Sequence, residues 1–176
     1  MKYLKIWEKI KEEPFRVGFR KLLKRTFKLP DGKVVDFDVK HEGPAVCILV
    51  FTTNNKIILA KQFRPGPEKV LFEMPGGVIE KGEEPKQAAK RELLEETGYS
   101  GDLKFVGTSL DCAYSTMIRY VFVATNCQKT QEQKLDDTEF VDVIEVTLED
   151  FRKHLRTGEL TDVECGYLGL DYLGLL

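Results

Sequence analysis

The segment from Pro75 to Tyr99 constrains this chain more than any other part of the sequence. It predicts one amphipathic helix of 13 residues, Pro85 to Thr97, between two glycine-containing loops. Proline suits the first position of a helix because its missing N–H has no helical partner there, and Gly98 suits the left-handed residue that ends a helix. Apolar residues recur at helical spacing on one side: Ala88, Ala89, Leu93 and Leu94. The pattern predicts that this stripe is buried and that the opposite face is polar.

The polar face carries three glutamates, Glu92, Glu95 and Glu96, at positions i, i+3 and i+4. Carboxylates at this spacing share one side of a helix, and each like-charged pair costs roughly a few tenths of a kcal/mol. Arg91 lies four residues before Glu95 and relieves part of the repulsion. Clustered carboxylates are hard oxygen ligands that suit Mg²⁺ or Mn²⁺, so a divalent cation would resolve the conflict. For these three residues alone, a solvated acidic face is the alternative.

A longer pattern surrounds this helix. Gly77 is followed after five residues by Glu83, then after seven by Arg91-Glu92-Leu93, and the pattern continues through Glu95-Glu96 to Gly98-Tyr99. This string resembles the Nudix box at every defining position. Its seven fixed residues and two apolar positions would coincide by chance about once in 10¹⁰ starting points at average residue usage. The chain is therefore identified as a member of the Nudix hydrolase superfamily.

The resemblance implies a loop, a helix and a loop that bind Mg²⁺ or Mn²⁺ and hydrolyse a diphosphate bond. The site residues that it implies are the metal ligands Glu92, Glu95, Glu96 and the carbonyl of Gly76, and the structural residues Gly77, Glu83 and Arg91. Glu83 and Arg91 are implied to brace the loop against the helix. Glycine at positions 76 and 77 also has a direct reason, because backbone without a side chain can approach a metal or a phosphate closely.

Other motifs resemble the ADP-ribose pyrophosphatase branch of this superfamily. They are "LPDGK" in a predicted hairpin, "KQFRPG" at Lys61 to Gly66, "FEMPGG" at Phe72 to Gly77 and "EFVDV" at Glu139 to Val143. The resemblance implies an α+β fold: an α/β/α sandwich with a mixed central sheet, preceded by a small antiparallel β element. It implies cleavage of a nucleoside diphosphate sugar such as ADP-ribose into a nucleoside monophosphate and a sugar phosphate.

Three residues outside the box are assigned by the same resemblance. Arg64 resembles the residue that holds the substrate diphosphate, and its planar, permanently charged fork suits that role. Glu73 resembles a second carboxylate near the metals, and Glu139 resembles the loop glutamate that takes a proton from the attacking water. An exposed salt bridge, a strand-end acid and a solvated loop acid are the respective alternatives. Cys112-Ala113-Tyr114 departs from the usual Pro-Gly, which implies a different pocket for the terminal ribose.

Residues 1–42 are predicted to form the N-terminal β element, and residues 43–176 the hydrolase domain. A short helix is predicted near Tyr3 to Lys11, and the hairpin brings Arg25 to Leu29 beside Val35 to Val39 around Pro30-Asp31-Gly32. The resemblance implies a homodimer to which this element contributes. Trp7, Phe15 and Phe19 are candidates for stacking on a purine, although burial in a core is the alternative for each.

In the second domain, Ala45 to Phe51 predicts a strand that is covered on both faces. The polar segment Asn126 to Thr138 predicts a long loop, either a mobile flap or disordered. Thr161 with Glu164 has the spacing of a capping box and predicts the start of a C-terminal helix.

The four cysteines form no CxxC pair, which favours free thiols in a reducing compartment. The cytoplasm is the default, and no membrane segment is expected. The first 28 residues contain ten Lys or Arg and three Glu, yet the interspersed apolar residues favour strands with a solvated basic face. Nucleic acid is therefore not the expected partner.

Several alternatives stay open at this stage. The substrate can be another diphosphate or triphosphate derivative, such as ADP-glucose, GDP-mannose, NADH, a nucleoside triphosphate or an RNA 5′ end. A non-catalytic module that binds such a ligand is a further alternative, although such modules commonly lose a box glutamate and none is missing here. The preferred nucleotide and the number of metal ions are not determined by the sequence.

Overall fold

A computed structural model describes residues 7–17 and 20–176 of the 176-residue chain. The chain forms two compact units. The first contains Met1–Gly43 and Leu110–Ile118, and the second contains Pro44–Ser109 and Arg119–Leu176. The division into residues 1–42 and 43–176 stays a prediction, and the first unit also includes a segment that is distant in the sequence.

The first unit contains an antiparallel sheet of three strands: β1 (Glu8–Val17), β2 (Arg20–Lys28) and β3 (Val34–Lys40). The predicted hairpin is confirmed, since Phe27 lies opposite Val35 and Gly32 turns the chain with φ 88°. The helix predicted near Tyr3 to Lys11 is wrong from Glu8 onward, because these residues pair with β2. Strand pairing there overrides a weak helical preference. Residues 1–6 lie outside the described part of the chain.

The β3 pattern predicts one buried face, and the structure bears this out only in part. Val39 is buried, whereas Val35 is 36% exposed. The rings of Trp7, Phe27 and Phe37 lie together, with centroids 5.7 to 6.4 Å apart. The small sheet therefore holds an aromatic cluster that is partly open to solvent.

The second unit is built on a mixed sheet. Its strands are β4 (Ala45–Thr52), β5 (Ile57–Arg64), β6 (Lys69–Glu73), β7 (Tyr99–Leu110), β8 (Ile118–Lys129) and β9 (Val141–Val146). The order is β6-β5-β4-β8-β7, with β9 also paired to β5. β4 and β8 run parallel, whereas the pairs of β5 with β4, β6 and β9 are antiparallel. This confirms the predicted mixed sheet.

Helices cover both faces of this sheet: α1 (Pro85–Thr97), α2 (Leu148–Thr157) and α3 (Val163–Tyr172). Because side chains alternate along β4, Val46, Ile48 and Val50 pack with α1, whereas Cys47 and Leu49 pack with α2 and α3. Every residue of β4 is buried, as the uninterrupted apolar run predicts. The α/β/α layering is therefore confirmed.

The end of β8 and the start of α3 differ from the predictions. β8 continues to Lys129, so part of the predicted loop from Asn126 to Thr138 is strand. The N-cap residue of α3 is Asp162, whose side chain forms no capping hydrogen bond. The predicted cap is wrong because the Thr161 hydroxyl bonds to a different partner, Glu73.

Two further predictions concern disulfides and membrane spans. All four cysteines are free, and Cys112 is the exposed one. None of the helices in the described residues has the length and apolarity that crossing a bilayer requires.

Candidate active site

Helix α1 positions the acidic residues because its two ends and its inner face are fixed. The N–H of Glu84 donates to Gln87 Oε1 (3.1 Å), and Gly98 ends the helix with φ 75° and donates to the Leu94 carbonyl. Ala88, Ala89 and Leu93 are buried against the sheet. The glutamates are therefore held toward the loops that precede and follow the helix.

Arg91 joins the loop before α1 to the helix itself. Its Nε and Nη2 each donate to a different carboxylate oxygen of Glu83, both at 3.0 Å. Nη1 also donates to Glu92 (2.8 Å) and Glu95 (3.2 Å), and Nη2 donates to the Val78 carbonyl. The Glu83 carboxylate is the main cause of a raised pKa of Arg91, which keeps its charge at all ordinary pH. The ion pair of Arg91 with Glu83 therefore connects α1 to the loop that precedes it.

Gly76 brings the loop backbone against both β4 and Glu96. Its N–H donates to Glu96 Oε2 at 2.9 Å. A Cβ atom at this position would lie 2.1 Å from the Val46 carbonyl oxygen. Only glycine permits this approach of backbone to backbone, so the spacing between the loop and α1 depends on residue 76.

Gly77 leaves the space that the Glu92 carboxylate fills. A Cβ atom there would lie 2.4 Å from Glu92 Oε1 and 2.7 Å from Oε2. Any side chain at residue 77 would therefore displace the Glu92 carboxylate. The two glycines shape the cavity in which Glu92 and Glu96 stand.

Glu73 is an acidic residue outside α1. It lies at the end of β6 and is only 2% exposed. Arg64, at the end of β5, donates from Nε to Glu73 Oε2 at 2.5 Å, while its own side chain is 42% exposed. Thr161 donates its hydroxyl to the other oxygen, Oε1, at 2.5 Å. Both oxygens of this buried carboxylate are therefore satisfied by the protein.

Glu139 lies on the exposed connection between β8 and β9. A tight turn holds it, since Glu139 N–H donates to the Asp136 carbonyl and Asp136 N–H donates to the Glu139 side chain. The base of the connection is fixed to the C-terminal end of α1. Gln133 donates to the carbonyls of Glu96 (2.6 Å) and Val141 (3.1 Å). Gln133 therefore joins this loop to α1 and β9, and the mobility or disorder predicted for the loop stays a prediction.

A comparison with protein-family models finds the NUDIX domain over residues 41–163, which is most of the chain. The chain belongs to the Nudix family. This agrees with the string from Gly77 to Tyr99.

Similar proteins extend the Nudix assignment along almost the whole chain. The chain is 40% identical to an ADP-ribose pyrophosphatase of Bacillus subtilis (strain 168), over 94% of this chain and 90% of that protein. It is 32% identical to a methanol dehydrogenase activator of Bacillus methanolicus, over 84% and 80% of the two chains. A crystal structure of an ADP compounds hydrolase superposes on it with a TM-score of 0.79 and full coverage of both chains, at 19% identity. That last likeness concerns the fold.

The Nudix site holds more negative charge than its own cations compensate. Burial raises the pKa of Glu96 to about 8, and the Glu92 and Glu139 carboxylates add to the increase, against the Gly76 N–H and Arg64. Burial also raises the pKa of Glu92, against the Arg91 guanidinium, and Glu95 and Glu139 raise it further. Burial is the largest cause of both raised pKa values, and a cation bound beside these carboxylates would favour their ionised forms.

The donor atoms of the site suit a hard divalent cation. The candidate ligands are the carboxylates of Glu92, Glu95 and Glu96 and the Gly76 carbonyl, and none of them is a sulfur or an imidazole. No group of three or more His, Cys, Asp or Glu side chains in the described residues is already arranged around one point. In this arrangement Arg91 bonds to oxygens of both Glu92 and Glu95. The residues fit Mg²⁺ or Mn²⁺ in charge and chemistry.

The structure adds two site residues that sequence reasoning missed, Thr161 and Gln133. The sequence predicts Thr161 as a helix cap because of its spacing to Glu164, whereas its hydroxyl bonds to Glu73. Gln133 lies in a polar loop without any local pattern. No signal in a single sequence marks either residue, since their partners are 88 and 37 residues away.

Trp7 and the segment Cys112-Ala113-Tyr114 belong to the first unit. Trp7 packs against Phe27 and Phe37 within the first unit. Phe15 and Phe19 lie outside the described side chains. Cys112-Ala113-Tyr114 forms part of a turn in the first unit, in which the Tyr114 carbonyl accepts from Lys40.

Proposed function

We propose that this protein hydrolyses the diphosphate bond of a nucleoside diphosphate sugar such as ADP-ribose and releases a nucleoside monophosphate and a sugar phosphate. The observation that carries the proposal is the 40% identity to an ADP-ribose pyrophosphatase along 94% of the chain. The intact acidic helix supports it, because Glu96 accepts from the Gly76 N–H. Glu92 and Glu95 accept from Arg91, which also bonds to Glu83 in the loop before α1.

The proposed cofactor is Mg²⁺ or Mn²⁺, held by the carboxylates of Glu92, Glu95 and Glu96 and by the carbonyl of Gly76. A cation bound there neutralises diphosphate charge and increases the acidity of water. Burial raises the pKa values of Glu92 and Glu96, with smaller increases from neighbouring carboxylates, and a bound cation would stabilise the ionised forms.

The remaining roles belong to side chains outside α1. Arg64 would bind the diphosphate oxygens through the exposed part of its guanidinium while Glu73 holds its Nε. Glu139 would accept a proton from the water whose oxygen attacks phosphorus, and the bridging P–O bond breaks with its electrons going to the departing phosphate. Glu139 is exposed on an anchored loop, and its charge reaches both Glu92 and Glu96, which supports its place beside them.

A substrate panel tests the proposal. Purified protein is incubated with Mg²⁺ and ADP-ribose, ADP-glucose, GDP-mannose, NADH or a nucleoside triphosphate, and products are separated by chromatography. Parallel reactions contain EDTA in place of Mg²⁺. We expect AMP and a sugar phosphate from ADP-ribose with metal only. Hydrolysis of a nucleoside triphosphate in preference to every diphosphate sugar would reject the proposed substrate class.

We further propose a homodimer to which the N-terminal sheet contributes. Apolar side chains of this sheet are exposed in the single chain, including Ile10 (51%), Val34 (58%) and Trp7 (42%). Sedimentation velocity should give twice the 20.2 kDa mass of one chain, and Ile10→Lys should shift it toward the monomer. A monomeric wild-type protein at micromolar concentration would reject the dimer.

The four free cysteines support a reducing compartment, and we propose the cytoplasm.

A further inference from the structure

We propose that Thr161 is a positioning residue for substrate binding, because its hydroxyl holds the Glu73 carboxylate in the orientation that directs Arg64 toward the diphosphate. This inference rests on the proposed function and deepens it. Thr161 lies between α2 and α3, and two hydrogen bonds, through Glu73, connect it to Arg64, the residue that would touch substrate.

The inference starts from how the two oxygens of Glu73 are shared. Oε1 accepts from the Thr161 hydroxyl and Oε2 accepts from Arg64 Nε, both at 2.5 Å. The carboxylate is 2% exposed, so these two donors satisfy it in place of water. Arg64 therefore bonds to Glu73 through Nε, and its terminal nitrogens stay available on a side chain that is 42% exposed.

Loss of the hydroxyl would change what the guanidinium does. A buried acceptor without a partner is unfavourable, and Oε1 would need a new donor. Arginine readily pairs with a carboxylate through two parallel N–H groups. If Arg64 adopted that geometry, one terminal nitrogen would turn toward Glu73 and away from the diphosphate. Thr161 prevents this because it occupies Oε1.

The surrounding contacts fix Thr161 on both sides. Leu160 is buried in the core with α2 and α3, and Asp162 forms an ion pair with Arg119 Nε at 2.7 Å. The Thr161 hydroxyl does not cap α3. The N-cap residue of that helix is Asp162, and no side chain forms a capping hydrogen bond there. A threonine placed at a helix start with the spacing of a capping box therefore uses its hydroxyl on the site.

The test compares hydroxyl-bearing and hydroxyl-free side chains at one position. Thr161→Val keeps the shape and removes the hydroxyl, Thr161→Ala is a second hydroxyl-free variant, and Thr161→Ser restores the donor. We expect both hydroxyl-free variants to raise KM for ADP-ribose about tenfold, with kcat changed less than about twofold, because one hydrogen bond to a charged group positions a ground-state contact. Thr161→Ser should retain the wild-type KM.

Two controls separate positioning from a general structural effect. Thr157→Val makes the same change at a hydroxyl that bonds to the His154 carbonyl at the end of α2, and we expect no change in KM. In an Arg64→Ala background, Thr161→Val should add no further increase in KM, since the residue it positions is gone. Thermal unfolding of each variant verifies the fold.

The outcomes are distinct. A wild-type KM in both hydroxyl-free variants, a fall in kcat without a rise in KM, or an undiminished effect in the Arg64→Ala background would each reject the role of Thr161 while wild-type turnover still upholds the proposed function. Absence of ADP-ribose turnover by the wild-type protein would reject the proposed function, and the positioning role with it.

Discussion

Glu73 and Glu96 are both almost fully buried, at 2% and 7% exposed, yet their surroundings differ in kind. Glu73 has a charged donor at one oxygen and a hydroxyl at the other. Glu96 has one backbone N–H, from Gly76, and two other carboxylates whose charges raise its pKa further. A buried carboxylate is stable when charges and hydrogen bonds compensate it, and only Glu73 meets that condition within the chain itself.

The difference separates a carboxylate whose charge the chain itself compensates from one whose charge it leaves largely uncompensated. Glu73 is complete without any partner from outside, so its removal should weaken the protein. Glu96 is incomplete, so its removal should weaken binding and turnover but not the fold. The following predictions test this contrast.

The largest effect is expected for Glu96→Gln. The amide keeps an acceptor for the Gly76 N–H but loses the charge that a cation needs, so kcat with ADP-ribose and Mg²⁺ should fall roughly 10³-fold. Steady-state kinetics with the wild-type protein as reference measure this. Glu149→Gln, at a glutamate of α2 that is 78% exposed, is the control and should keep full activity. Unchanged turnover in Glu96→Gln would reject the proposed ligand.

The next effect concerns pH in metal-free protein. The folded state raises the pKa of Glu96 from 4.5 to about 8, so it favours the protonated carboxyl. The contribution to stability is fully present below pH 4.5 and is lost as pH rises toward 8, with a size on the order of 5 kcal/mol. Urea unfolding at pH 5 and pH 8 in EDTA should show a larger decrease for wild type than for Glu96→Gln. Equal decreases would contradict the assignment to Glu96.

Glu73→Gln should destabilise the protein more than Glu96→Gln does. It removes the charge that pairs with Arg64, and we expect a loss of about 2 kcal/mol in the free energy of unfolding, less than for fully buried pairs because Arg64 is partly exposed. Urea unfolding at pH 7 measures it, with Glu96→Gln as the matched buried control. If Glu96→Gln is destabilised more than Glu73→Gln, the contrast between the two carboxylates is wrong.

Gly77→Ala should weaken metal binding about tenfold, because a Cβ atom at residue 77 displaces the Glu92 carboxylate and misplaced ligands cost affinity. Titration of activity against Mg²⁺ concentration gives the apparent affinity. Gly107→Ala is the matched control, since a Cβ atom there meets nothing within 4 Å. An equal effect of both changes would point to general destabilisation.

The smallest effect is expected for Gln133→Leu. The change removes the two side-chain hydrogen bonds from Gln133 to the Glu96 and Val141 carbonyls, while the Lys134 N–H still donates to the Glu95 carbonyl. The proposed base on this loop is therefore less often in position. We expect kcat to fall about threefold, the value of one weak hydrogen bond. Hydrogen exchange at residues 134–140 should increase in parallel. Gln131→Leu, at an exposed position of the same loop, should change neither quantity.

Much of the fold was predictable because the information for it is local. α1 begins and ends where Pro85 and Gly98 predict, and the continuous apolar run of β4 is buried on both faces. The strand β1 was not predictable. A helix was expected near Tyr3 to Lys11, but the described part of that segment pairs with β2. Preferences over a few residues are weak compared with a ladder of backbone hydrogen bonds.

The candidate site divides in the same way. Spacing along one helix predicts that Glu92, Glu95 and Glu96 share a side of α1, and geometry adds the contacts of Arg91. The pairing of Glu73 with Arg64 joins β6 to β5, although the register places Arg64 opposite Lys69 and Glu73 opposite Ala60. Thr161 and Gln133 required the complete fold, because both reach the site from segments far along the chain.

The sequence alone thus determined the family, the helix that carries the acidic residues and the glycines beside it, because these features repeat a pattern of residues close together in the chain. Only the tertiary structure decided which buried carboxylate is compensated. Burial and the distance to a counter-charge depend on segments that meet through folding: Thr161 with Glu73, and Gly76 with Glu96. The desolvation of a charge is a property of everything around it, and no local pattern encodes it.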